Sequence, residues 1–124
     1  VRSRRRLVII FVAAVGEELV FRLLLLSLIA GLAMRLRPRP REVPSPGVIW
    51  VANVLSALAF AAAHLPAWSG AMPLGAALAM SVLALNALGG MVCGHVFVTR
   101  GIVAAMWVHA GGDCAIQLLG PLTS

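Results

Sequence analysis

Polar and apolar positions along the chain alternate on the scale of whole helices. Apolar residues gather into four runs, Leu7–Met34, Val48–Leu65, Leu74–Val98 and Ile102–Leu119. A helix needs about 20 apolar residues to cross the hydrocarbon of a bilayer. The first and third runs are long enough to cross with tilt, and the second and fourth, at 18 residues each, cross if straight. In hydrocarbon the backbone must satisfy its own hydrogen bonds, so each run is predicted to be helical. The expected fold is an all-α, polytopic membrane helix bundle of about four transmembrane helices, forming one domain over residues 1–124. The segment RLRPRPREVPSPG (35–47) holds four prolines and four arginines and is predicted to be a polar loop. Pro66 is expected to end the second helix, leaving Pro66–Pro73 at the membrane surface or dipping part-way in. Thr99–Gly101 is expected to be a tight turn into the last helix.

Composition sharpens this picture. Of 124 residues, 61% are hydrophobic and 11% charged, with a mean hydropathy of +1.01. Soluble domains run near 45–50% apolar and about 25% charged, so a water-facing globular surface is excluded. The net charge of +6 comes from arginine alone, clustered at residues 1–6 and 35–41. That placement suits lipid headgroups and topology signals rather than nucleic acid, for which no aromatic or basic platform exists. Arginine without lysine points to a GC-rich, bacterial genome. An arginine-rich start before an apolar stretch also fits a signal peptide, but the apolar stretch continues well past Glu17–Arg22. Cys93 and Cys114 lie inside apolar runs, without a CxxC spacing, and read as small buried hydrophobes.

Six ionisable side chains interrupt the first, second and fourth apolar runs: Glu17, Glu18, Arg22, His64, His109 and Asp113. Each costs roughly 2.5–3.5 kcal/mol at a bilayer centre on insertion scales, so they are expected to face one another or a wet cavity. Glu18 and Arg22 are four residues apart and share a helix face, as do Phe60 and His64, and His109 and Asp113. Glu17 lies about 100° round the helix from Glu18. At 1.5 Å per residue, Glu17 and His109 fall about 15 Å from one membrane face and Asp113 about 9 Å from it. His64 falls close to the same face. A purely structural clamp is a poor explanation, because membrane hydrogen bonds contribute only about 0.6 kcal/mol each.

Such groups can hydrolyse an amide. A carboxylate and an imidazole on facing helices can hold and deprotonate a water, the role assigned to Glu17 and His64. A second imidazole with a polar neighbour can stabilise the oxyanion, the role assigned to His109 and Asp113. Glu18 and Arg22 then support Glu17. No G-x-S-x-G elbow surrounds Ser27, Ser56 or Ser81. Two histidines, two glutamates and an aspartate are also a ligand set for zinc, although H-E-x-x-H and a paired Glu-x-x-His are both absent. A non-catalytic peptide-binding or bacteriocin-immunity protein and a proton-coupled transporter are the rivals from other classes.

Glu17-Glu18-Leu19-Val20-Phe21-Arg22 reads EExxxR, Phe60–His64 reads FxxxH, and His109–Asp113 reads HxxxD. In this order on successive apolar runs, with the Val98-Thr99-Arg100-Gly101 turn before the last, they resemble the CPBP family of intramembrane glutamic endopeptidases. That family, once called the Abi family, includes type II CAAX prenyl proteases and bacteriocin-processing relatives. The resemblance spans about residues 8–119. It implies that Glu17 and His64 activate water, that His109 and position 113 stabilise the oxyanion, and that no enzyme nucleophile, cofactor or metal takes part. It also implies further helices upstream, so the chain is expected to be an excerpt of a longer protein. Asp113 stands where asparagine is frequent. An amide can donate to an oxyanion, whereas an ionised carboxylate cannot. The implied partners are a peptide or protein substrate and the bilayer itself.

The remaining features carry structural expectations. His95 reads as an interfacial or core histidine, and Gly90–Gly94, a GxxxG, as an intramolecular helix contact. Trp50 and Trp68 read as interfacial anchors. Ala57–Ala63 and Ala76–Ala79 read as tight helix contacts.

Overall fold

The computed structural model describes residues 2–37, 43–71, 73 and 75–119, and among these every regular element is helical. The first apolar run forms α1 (Arg2–Glu18), a π-helical segment (Leu19–Leu26) and α2 (Ser27–Arg35). Glu18 and Ser27 keep helical backbone angles at both junctions, so the three pieces form one rod whose middle is widened. The Ser27 hydroxyl donates to the Arg22 carbonyl, five residues earlier, at 3.4 Å.

The second run forms α3 (Pro46–Ala71). Its start follows from local chemistry: the Ser45 hydroxyl accepts from the Val48 N–H at 3.4 Å, and Pro46 occupies the first helical position, where no N–H is needed. The third run forms α4 (Ala76–Arg100) and the fourth α5 (Ile102–Leu119). Between them a single residue turns the chain. Gly101 has φ +88°, a conformation open to glycine at no steric cost, and its N–H donates to Phe97 O at 2.9 Å.

Two boundaries differ from expectation. Pro66 does not end the second helix; α3 continues through it to Ala71. Proline removes one N–H from the ladder and frees the Ala62 carbonyl, a loss that helices in a membrane tolerate; one turn on, the Ser69 hydroxyl donates to Pro66 O at 3.0 Å. His64 therefore sits inside a helix rather than at its end. Thr99 and Arg100 are helical too, and the expected three-residue turn reduces to Gly101. The central part of the proline–arginine loop (38–42) and the Trp68 side chain lie outside the described residues.

The helices pack in a ring. α1 lies against α5, α5 against α4, α4 against α3, and α3 against α2 and the π-helical segment, which also touches α4 and α5. Small residues are the best-buried part of the apolar core: Ala14, Ala52, Ala57, Ala61 and Ala105 are at most 1% exposed. Small side chains let backbones approach closely, the packing mode of helices in lipid. Gly90 shows it directly, since a Cβ there would lie 3.0 Å from the Ala57 Cβ. Gly94 packs against the Asn53 carboxamide, so the GxxxG is an internal contact. Ala57 and Ala61 fulfil the tight-contact expectation, whereas Ala62, Ala63, Ala76 and Ala77 are exposed.

The burial pattern is inverted relative to a water-soluble protein. Leu24, Leu28, Leu85, Leu88, Trp107 and Ile116 are more than half exposed, while the largest fully buried side chains are Arg22, Glu18 and Ser56. Apolar outside and ionic inside is the arrangement a lipid solvent selects. α3 over Pro46–Ala67 and α4 over Ala76–Arg100 are each long and apolar enough to cross a membrane.

Candidate active site

The ionisable residues singled out from sequence converge where the widened rod meets the other three helices. Glu17 and Glu18 close α1, His64 comes from α3, and His109 and Asp113 from α5. The widening begins at Leu19, directly after the paired glutamates. π-type turns alter side-chain register and are frequent at functional sites; nothing in the sequence announces this one.

Glu18 is wholly buried. One carboxylate oxygen accepts from His109 Nδ1 at 2.8 Å, and the other lies 3.4 Å from Arg22 Nε. Arg22, also buried, donates from Nη2 to Gly90 O at 3.1 Å. Glu18 thus orients His109 directly. The sequence reading placed it behind Glu17, because helical spacing reveals an i,i+4 partner but not a partner 91 residues away.

Glu17 is one-third exposed. Its Oε2 lies 3.4 Å from His109 Nε2 and 3.9 Å from His64 Nε2. Both are ion-pair contacts, and the wider one, to His64, is of the length at which a water can bridge the two groups. His64 Nδ1 lies 2.8 Å from Phe60 O; a carbonyl only accepts, so Nδ1 carries a proton, and Nε2 is the nitrogen that faces Glu17. Asp113 Oδ2 lies 3.7 Å from His109 Nε2, facing the same nitrogen as Glu17.

Phe60 is the hub. Its ring stands 4.5 Å from the His64 ring, 5.4 Å edge-on from His109 and 5.3 Å edge-on from Phe21, with the Arg22 guanidinium 4.6 Å from its centroid. The aromatic thus fixes both imidazoles and stacks on the cation. The Phe60–His64 spacing was visible in the sequence; its contact with His109 was not.

A cavity of about 270 Å³ opens beside the cluster between α3, α4 and α5, with His64, Asn86, Cys93, His109 and Asp113 among its walls. Asn86 escaped the sequence reading, as a lone amide in an apolar run carries no motif. Two larger grooves lie elsewhere. One of about 450 Å³ runs between α1 and α5 and is almost wholly apolar. The other, of about 480 Å³, lies by Trp50 and His95, at the opposite end of α3 from His64. Trp50 and His95 are exposed, as suits interfacial residues. Among the described residues, Glu18, Cys93 and His109 form a group able to hold a metal ion, their ligand atoms all within 4.8 Å of one another. Cys93 is buried, as expected, but beside ionic groups rather than in a purely apolar setting.

A family profile described as type II CAAX prenyl endopeptidase, Rce1-like, matches residues 5–115. No curated protein and no solved structure matches the chain.

Proposed function

The chain belongs to the Rce1-like family of type II CAAX prenyl endopeptidases, membrane-embedded proteases, and on that premise we propose that it hydrolyses a peptide bond of a membrane-associated substrate with water activated by Glu17 and His64. The observation that carries this reading is the placement of Glu17 Oε2 within 3.4 and 3.9 Å of two imidazole nitrogens from different helices.

In the proposed reaction a water lies between Glu17 Oε2 and His64 Nε2. Glu17 accepts one of its protons as the oxygen attacks the scissile carbonyl. The negative charge that develops on the carbonyl oxygen is met by His109 Nε2–H, with Glu18 balancing the imidazolium from the Nδ1 side. A carboxylate at position 113 has no proton to donate to that oxygen; Asp113 acts on His109, 3.7 Å away. Collapse breaks the C–N bond, and the proton held by Glu17 passes to the departing amine. Every step uses side chains of this chain, with no covalent enzyme intermediate and no metal. Glu18, the carboxylate of the metal-capable group, meets His109 at Nδ1, whereas Glu17 meets it at Nε2.

The test is cleavage of a prenylated CAAX peptide, and of unprenylated peptides beside it, by the purified protein in lipid nanodiscs. Cleavage is expected to survive chelators, to vanish in His64→Ala, and to persist in His95→Ala. Removing an oxyanion donor costs about 10²–10³ in rate, the loss expected for His109→Ala. Cleavage retained at wild-type rates by a folded His64→Ala variant overturns the assignment.

A further inference from the structure

Cys93 takes no part in the reaction proposed above, yet it lies beside the two residues that hold the site together. Glu18 from α1, Cys93 from α4 and His109 from α5 bring a carboxylate, a thiol and an imidazole within 4.8 Å of one another. All three are buried, Glu18 completely. Glu18 Oε2 makes no hydrogen bond and is held only by its ion pair with Arg22 at 3.4 Å.

We propose that Glu18, Cys93 and His109 form a regulatory binding site for a thiophilic divalent cation of the zinc class, and that filling it switches cleavage off. Thiolate, imidazole and carboxylate are the donor types zinc takes, at about 2.3 Å for sulfur and about 2.0–2.2 Å for nitrogen and oxygen. The softness of the thiolate selects zinc over magnesium or calcium. Binding displaces the Cys93 thiol proton and the His109 Nδ1 proton, as metal ligation requires. Arg22 lies next to this site. It holds the second oxygen of Glu18 and is itself anchored on Gly90 O, the outer-shell arrangement that orients a ligating carboxylate. Its charge is offset by the thiolate and by the Glu17 and Asp113 carboxylates that face the other nitrogen of His109.

Inhibition follows from geometry. Ligands around a tetrahedral zinc lie about 3.3–3.6 Å apart, so the 2.8 Å Glu18–His109 hydrogen bond is opened and Cys93 is drawn inward. Cys93 and His109 both line the cavity beside the cluster, so moving them toward one ion reshapes its wall. One ion then ties α1, α4 and α5 and displaces His109 from the position in which Glu18 holds it. The inhibition rests on the proposed use of His109; the binding does not.

The experiment uses the full chain in nanodiscs, titrated with buffered zinc and, separately, with cobalt. Wild-type protein is expected to bind one zinc per chain, to rise in Tm as a ligand of the folded state requires, and to lose cleavage with the same midpoint. Cobalt is expected to give thiolate charge-transfer absorption. Cys93→Ser, which keeps size but removes the sulfur, and Cys93→Ala are expected to lose the Tm rise, the absorption and the inhibition. Zinc binding unchanged in both variants, or absent from wild type, overturns the proposal. Zinc-free wild-type protein that cleaves nothing contradicts the catalytic reading, while stoichiometry and Tm still report on the metal site.

Discussion

Glu18 and Arg22 carry opposite charges into a part of the molecule from which solvent is excluded, and each is the condition for the other. Removing one partner of a buried pair leaves an uncompensated charge and costs about 3–5 kcal/mol, whereas replacing both by apolar residues is often neutral. Arg22→Leu alone is therefore expected to lower stability by about that amount, and Glu18→Leu with Arg22→Leu to recover most of it, as measured by reversible unfolding in mixed micelles. Cleavage is expected to be lost in the double variant, because His109 then has no carboxylate at Nδ1. Asp113 gives a second prediction. Asp113→Asn places a donor near the developing oxyanion and is expected to keep activity, while Asp113→Ala lowers it in steady-state assays. The six ionisable residues were legible in the sequence because charge inside apolar runs is costly. The contact of Glu18 with His109 was not legible, since it depends on how α1 and α5 cross. Cys93 passed for an ordinary core residue for the same reason: only the fold shows which groups face it.

At the scale of elements, the helices were legible from apolar periodicity and length, and their irregularities only in part. Gly101 announced its turn. Pro66 misdirected, because a proline in a strongly apolar run can be absorbed where neighbouring groups take over the lost bond. The π-helical segment left no trace, since its eight residues, LVFRLLLL, are ordinary helix formers. The α3–α4 crossing offers a sharp contrast between adjacent glycines. A Cβ at Gly90 meets Ala57 at 3.0 Å, and one at Gly89 meets nothing within 4 Å. Overpacking a close contact costs about 1–3 kcal/mol, so Gly90→Val is expected to lose stability in that range and Gly89→Ala to keep it. Thermal unfolding of the two variants side by side measures the difference. Gly90 O also accepts from Arg22, so displacing α4 is expected to slow cleavage as well.

Across the whole molecule, the ring of helices turns a bilayer's cost into a working arrangement. Lipid accepts the leucines and valines outside, small residues let the helices close up, and the space left at the meeting of α1, α3, α4 and α5 holds the ions that lipid rejects. All-α architecture and family membership were both within reach of the sequence, because motif order and hydropathy survive without coordinates. The inverted burial, with arginine and glutamate as the best-buried large side chains, needed the fold. The account's central claim is that Glu17 activates the attacking water at this junction, and the most direct measurement is the single-turnover cleavage rate of Glu17→Gln. That variant keeps the shape of the side chain and removes the base. With helicity and Tm matching wild type, the rate is expected to fall by about 10²–10⁴-fold, the contribution of a positioned general base; a wild-type rate from the folded variant contradicts the account.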